Sequence, residues 1–240
     1  SRFEDDQTSL INDDPDDPNV EHDEYLELTE AEKKIKPHIT GYFPPTVSGG
    51  ADLIILHLPP DTKTGKGGII RVADILKGGL DVIVNAANSD GIGGGGIDAQ
   101  INSHGGPAMK SEREKYMNSK LDKKLAVAEG FSTAGHKLGC NHVIHMNSFD
   151  YRTISRANSE TGDEQLKKAY KESLNIATNK DLNAKNIAFS LLSSDIFRGP
   201  FENKLGGEKK TIKEVLTLGI QAIKEWVTEN DISKLKNIFM

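Results

Sequence analysis

The chain of 240 residues contains one cysteine, one tryptophan and 6% aromatic residues. With Cys140 alone, an internal disulfide and a cysteine-rich zinc site are both excluded. No apolar run approaches the roughly 18 residues that a membrane span requires, and the longest candidates, such as 53–58, are strand-sized. The opening Ser-Arg-Phe-Glu has neither an initiator methionine nor a signal-peptide pattern, as expected of a fragment or a processed chain. A single thiol and no membrane signal lead to the expectation of an intracellular protein of cytoplasm or nucleus, with no membrane partner.

Hydrophobic residues make up 36% and charged residues 28%, ordinary values for one or two globular domains. The charge is unevenly spread. Residues 1–32 hold 13 acidic side chains and one arginine, a net of −12, which leaves +6 on the remainder. Residues 1–24 are also poor in aromatic and β-branched residues, the composition of a solvated or loosely attached segment. A mildly basic body suits an anionic ligand.

Beyond a Pro/Gly-rich stretch at 44–50, which reads as a linker or turn, apolar runs alternate with amphipathic ones. Residues 53–58, 68–72, 81–85, 125–129, 143–147 and 186–191 are predicted strands, apolar on both faces as strands covered by helices are. Helical spacing appears at 97–103, 108–118, 164–179 and 211–229, the last through the stripe Ile212, Val215, Leu216, Ile220, Ile223 and Val227. The final Asn237-Ile238-Phe239-Met240 can open one more strand, and polar residues 152–163 read as a surface loop. The alternation predicts a three-layer α/β/α sandwich around a mixed, largely parallel sheet.

The chemistry concentrates at one junction. The strand Asp81-Val82-Ile83-Val84 runs into Asn85-Ala86-Ala87-Asn88, then into Gly93-Gly94-Gly95-Gly96 and a helix from Ile97. Glycines let backbone approach a ligand and adopt positive φ. Between a strand end and a helix start, their N–H groups and the helix dipole form a phosphate site. A flexible tight loop without ligand is the bland alternative, but four glycines in a row cost much chain entropy on folding. Elsewhere, Thr62–Gly68 fails the P-loop spacing. His136, His142 and His145 do not make a zinc site with one cysteine in the chain.

Residues 81–106 resemble the signature of macrodomains, modules that bind ADP-ribose. Ala73-Asp74-Ile75 resembles the short acidic motif that precedes the signature strand. Residues 127–147 are similar to the central strand pair, close to the macro-histone version, and Ser190–Pro200 resembles the second phosphate loop. The likeness covers roughly residue 52 to the end, dividing the chain into an acidic extension (1–48) and a macrodomain (49–240). It implies that Asp74 accepts a hydrogen bond from the adenine amino group and that Ile75 supplies a backbone contact to the base. It further implies that Asn88 binds the distal ribose hydroxyls and that Gly94, Gly95, Gly96 and Ile97 cradle phosphate. Ser193, Ser194, Ile196 and Phe197 would form the opposing wall, with Phe197 over the distal ribose.

In hydrolytic branches an aspartate at the helix start helps position the attacking water, and Asp98 has that branch's ten-residue offset from Asn88. Asp98 or a diphosphate oxygen would accept the water's proton. A favourable charge at a helix N-terminus is the plainer alternative for Asp98. Three residues depart from the pattern. Asp195 and Arg198 replace usual glycines, the arginine being placed to contact phosphate and offset Asp195, and Asn102 stands where many hydrolytic members have histidine. The resemblance thus implies ADP-ribose as ligand or product, no other cofactor, an ADP-ribosylated protein as partner, and no nucleic acid beyond ADP-ribose-like ligands. Three functions remain open: removal of mono-ADP-ribose from side chains, ester linkages favoured; a non-catalytic reader; and an interaction module with a repurposed cleft.

Overall fold

A computed structural model describes residues 30–45, 50–202, 208–230 and 234–240. Its centre is a seven-stranded sheet: β1 (Ile39–Phe43), β2 (Asp52–Leu56), β3 (Val82–Ala87), β4 (Gly130–Ala134), β5 (His142–Asn147), β6 (Asn186–Phe189) and β7 (Asn237–Phe239). The spatial order is β1-β2-β7-β6-β3-β5-β4. The five inner strands run parallel, and β1 and β4 close the two edges antiparallel. The predicted mixed, largely parallel sheet is therefore what forms.

Alternation along these strands sorts their side chains onto two cores. Leu53, Ile55, Val82, Val84, Ile144, Met146, Ile187, Phe189 and Ile238 face α5 (Ser159–Thr178) and α6 (Ile212–Glu229). Their neighbours Ile54, Ile83, Val143, Ala188 and Phe239 face the helices α1 (Glu30–Ile35), α2 (Gly68–Ile75), α3 (Gly96–Gly105) and α4 (Pro107–Ser119). With side chains alternating at a period of two, a strand covered on both faces must be apolar at every position. The three-layer sandwich follows.

Several expected elements differ. Residues 68–72 form a helix rather than a strand, because Ile69, Ile70, Ala73 and Leu76 make a buried stripe at helical spacing. Short apolar runs do not distinguish the two periods. Residues 125–129 are not a strand: Ala128 adopts φ +60 and Glu129 N–H donates to the Ala126 carbonyl, closing a turn ahead of β4. Part of the expected loop at 152–163 is helical, since α5 begins at Ser159. The expected start of the α/β body at residue 49 falls too late. Ile35 is fully buried beside Ile54, and β1 pairs with β2, so residues 30–45 belong to the sandwich. The acid-rich surroundings hide those few apolar positions in the sequence. The leader at 1–29 and the turn residues 46–49 lie outside the described residues. No described helix is long and apolar enough to cross a membrane.

The C-terminal strand settles the interior. β7 lies between β2 and β6, with Ile238 fully buried. Ahead of it, α6 starts in a complete capping box in which Thr211 Oγ1 accepts from Glu214 N–H and the Glu214 carboxylate accepts from Thr211 N–H. Trp226 on α6 is core, its indole N–H donating to Asn175 Oδ1 at 2.8 Å.

Candidate functional site

Parallel strands β6, β3 and β5 end on the same side, and ligands of open α/β sheets bind outside such carboxyl ends. A cleft of about 430 Å³ opens there. Its walls come from the end of β3 (Ala86, Ala87, Asn88), the glycine loop and first turn of α3 (Gly94 to Asp98), Ser148 after β5, and residues 191 and 193–197 after β6. Of the fourteen residues singled out in the sequence as site members, eleven line this cleft and three lie elsewhere.

 Asn88, Gly94, Gly95, Gly96, Ile97, Asp98, Ser193, Ser194, Asp195, Ile196 and Phe197 line the cleft, whereas Asp74, Ile75 and Arg198 do not.

The glycine loop uses its freedom selectively. Gly93 (φ +135) and Gly96 (φ +58) adopt positive φ, while Gly95 is extended at φ −90 with open space where a Cβ would stand. No side chain caps the start of α3, so the N–H groups of its first turn, which have no intrahelical partners, remain for a ligand. Two polar side chains crowd the Cα of Gly94. A Cβ there would lie 3.0 Å from Asn88 Nδ2 and 3.4 Å from Asp98 Oδ2. Asn88 Oδ1 accepts from Asp90 and Gly91 N–H, an arrangement that holds its amide nitrogen toward Gly94.

Behind this loop lies a buried polar network. Asp98 Oδ1 pairs with the Arg113 guanidinium, Nη1 at 2.8 Å, and accepts from Asn85 Nδ2 at 2.7 Å, while its Oδ2 has no hydrogen-bond partner although buried. Asn85 Nδ2 also meets His145 Nδ1 at 3.1 Å, and His145 Nε2 meets Thr133 Oγ1 at 3.0 Å. Because the asparagine nitrogen can only donate, His145 carries its proton on Nε2. Burial, with the Arg113 charge added, holds its pKa well below the usual histidine value, so the ring is neutral. Burial also pushes the Cys140 thiol up to about 12, leaving a poor nucleophile.

The second loop forms the opposite wall. Ser193 (φ +56) turns its hydroxyl away to donate to the Phe149 carbonyl at 2.6 Å. Asp195 Oδ2 comes within 3.0 Å of the point where a Gly96 Cβ would stand, so a carboxylate overhangs the uncapped end of α3. Arg198 does not offset it. Its guanidinium braces the loop from behind, donating to the carbonyls of Ser194 and Lys210 at 2.6 and 2.9 Å.

The expected adenine contacts of Asp74 and Ile75 are corrected by the direction of α2. Its amino end is near the cleft side, where Gly67 N–H donates to Gln100 Oε1 of α3. Its carboxyl end abuts the turn that feeds β5, where a Cβ on Gly139 would lie 2.3 Å from the Ala73 carbonyl. Asp74 and Ile75 therefore sit at the amino ends of the strands, across the sheet from the cleft. Asp74 instead pairs with Lys66 at 2.5 Å.

Ser148 and Arg113 were not singled out in the sequence, and Asn85 and His145 were named there without a role in this site. Ser148 lines the cleft with a buried, unpartnered hydroxyl. Asn85 and His145 are register partners on β3 and β5, both fully buried. Arg113 interrupts the apolar stripe Met109–Arg113–Met117 of α4, each residue buried.

This geometry can be set beside known proteins. The Macro domain family profile matches residues 84–205. A macro domain-containing protein of Streptomyces coelicolor is 35% identical over 132 residues, 54% of this chain and 73% of the relative. The chain belongs to the Macro domain family. An ADP-ribose glycohydrolase of Xenopus laevis is 31% identical over 144 residues, covering 60% of this macrodomain chain but 32% of that relative. Among solved structures, the Oceanobacillus iheyensis macrodomain with ADP superimposes with a TM-score of 0.61 at 23% identity, covering 83% of this chain and 87% of the other. A Trypanosoma brucei macrodomain in complex with ADP gives 0.55 at 18% identity, over 78% and 63%. These likenesses carry the fold.

Proposed function

We propose that the cleft binds ADP-ribose and that the protein releases mono-ADP-ribose from ester-linked acidic side chains of other proteins. One observation carries the catalytic part: the unpartnered Asp98 Oδ2 stands beside the Asn88 amide at the floor of the glycine loop. A diphosphate fits the uncapped amino end of α3. The Asn88 amide donates to a ribose hydroxyl, and Asp98 Oδ2 accepts a hydrogen bond from water. That water's oxygen bonds to the anomeric carbon as the carbon–oxygen bond to the carboxylate breaks, the leaving oxygen keeping the electron pair. Oxocarbenium charge develops meanwhile and is stabilised by the carboxylate. The water's proton passes to Asp98 or to a diphosphate oxygen. Binding is supported by macrodomain structures solved with ADP and ADP-ribose, and hydrolysis by the relative named as an ADP-ribose glycohydrolase.

A second function, that of a reader, keeps the binding without the release and is favoured by Asp195, whose carboxylate in the cleft matches no step of hydrolysis. The two separate in one set of measurements: an ADP-ribose titration followed by single-turnover release from a mono-ADP-ribosylated protein. Asp98→Ala is expected to lower release by about 10²–10⁴, the usual contribution of a positioned acid–base group, with a much smaller change in ADP-ribose affinity. Asn88→Ala is expected to impair both. A parent protein that binds ADP-ribose but releases nothing from Glu-, Asp-, Ser- or Arg-linked substrates ends the hydrolase proposal and leaves the reader.

A further inference from the structure

Asp98 is useful in the cleft only if one of its oxygens is held back and the other left free, and the side chain that enforces this comes from a different helix. Arg113 of α4 is fully buried. Its Nε donates to the Gly91 carbonyl at 2.7 Å, its Nη1 donates to Asn102 Oδ1 at 2.9 Å, and the same Nη1 forms an ion pair with Asp98 Oδ1 at 2.8 Å. One guanidinium therefore joins the loop ahead of the glycines, the second turn of α3 and the carboxylate at the start of α3. Asn102 is itself fixed, because its Nδ2 donates to the Ile92 carbonyl at 2.9 Å.

We infer that Arg113 is the positioning residue of this site. It acts through Asp98, locking Oδ1 so that Oδ2 faces the cleft and holds a water against the ligand's distal ribose. The planar fork is what the task needs. A lysine would keep the charge but could not reach Gly91, Asn102 and Asp98 from fixed directions. Nor is a fully desolvated Arg–Asp pair an economical way to stabilise a fold, since apolar replacement of such pairs is often neutral or favourable. With Asn85 donating to the same oxygen, the carboxylate has its rotation blocked from two sides. This inference rests on the proposed ADP-ribose cleft and names the residue that orients its acid.

The test uses the full chain with Arg113→Lys, Asn102→Ala as a milder variant that keeps the guanidinium, and Asp98→Ala with and without Arg113→Lys. Melting temperature confirms that each variant folds. If Arg113→Lys does not fold, Asn102→Ala carries the same measurements. Arg113→Lys is expected to lower single-turnover release about 10²-fold, the penalty for a displacement of roughly 1 Å at a reacting group, while ADP-ribose affinity changes less than about threefold. Release by the double variant should equal that of Asp98→Ala alone, because groups acting as a unit are non-additive. Unchanged release in Arg113→Lys, or an additive loss in the double variant, overturns the inference while leaving the hydrolase proposal standing. A second readout does not depend on catalysis. In crystals soaked with ADP-ribose, the parent should hold a water on Asp98 Oδ2 facing the ribose, and Arg113→Lys should show the carboxylate turned and that water lost. An Asp98 unmoved in the lysine variant overturns the inference even if no release is ever detected, a result that would by itself defeat only the hydrolase proposal.

Discussion

His145 shows how a single residue couples the site to the stability of the fold. Its ring lies between Asn85 and Thr133, is fully buried and is held neutral by desolvation beside the Arg113 charge. In the unfolded chain the same histidine takes a proton near pH 6.5. With the folded pKa depressed, the stability it contributes is present above that value and is lost as the pH falls below it. The slope is about 1.4 kcal/mol per pH unit for one proton. His145→Gln can accept from Asn85 and donate to Thr133 but does not titrate. Denaturant unfolding between pH 7 and 5 should therefore fall more steeply for the parent than for this variant, by up to that slope. Parallel curves would show that the ring charges freely in the folded state. The lesson extends to what the sequence discloses about single residues. Asn88 and Asp98 were legible because their spacing around the glycines is local. Arg113 and His145 were not, because their partners come from α3 and β3, brought close only by packing.

At the scale of elements, the interior of the sandwich was legible and its margins were not. β3, β5 and β6 announce themselves as apolar runs because both faces are covered, and α5 and α6 announce themselves by long apolar stripes. The helix α2 was mistaken for a strand because Gly68-Ile69-Ile70-Arg71-Val72 is too short for its period to show. The adenine assignment came separately, from the resemblance of Ala73-Asp74-Ile75 to the family's acidic motif, and Asp74 and Ile75 do not line the cleft. The glycine loop was located correctly, but which of its members need to be glycine follows only from the backbone. Gly93→Ala forces an L-residue to φ +135 and brings Cβ to within 2.3 Å of Asn102 Nδ2. The left-handed conformation alone costs about 1–2 kcal/mol, so a loss of at least about 2 kcal/mol is expected with the collision included. Gly95→Ala, extended and open, should melt within a degree or two of the parent, about what a surface substitution does. Melting both variants decides it: equal melting temperatures would show that the loop is not held in this conformation.

For the whole molecule the question is how its charge meets a dianionic ligand, and distance separates two effects. Asp195 is near: its carboxylate overhangs the amino end of α3, inside the cleft that would hold the diphosphate. The acid-rich leader is remote in sequence and carries Asp13, Asp14, Asp16 and Asp17 among its charges, in a chain of net charge −6. Charges within a few ångströms in a cleft are little screened, whereas exposed charges beyond a Debye length are largely silent. Converting those four leader aspartates to asparagine removes four negative charges that repel a dianion through solvent. Four unit charges each about 20 Å from a dianion repel it in water by about 1–2 kcal/mol before screening. About half survives at ~0.01 M salt, where the Debye length is about 30 Å, and almost none at ~0.15 M, where it is about 8 Å. The leader variant should thus bind ADP-ribose a few-fold more tightly than the parent at low salt and equally at physiological salt. Asp195→Gly should also bind more tightly, but its gain should persist as salt is raised, because the repulsion it removes acts within the cleft. Calorimetric titrations of parent and both variants at the two salt concentrations distinguish the cases. A weaker affinity in Asp195→Gly would mean that the carboxylate serves the ligand, through a ribose hydroxyl or the base, and does not oppose its phosphates.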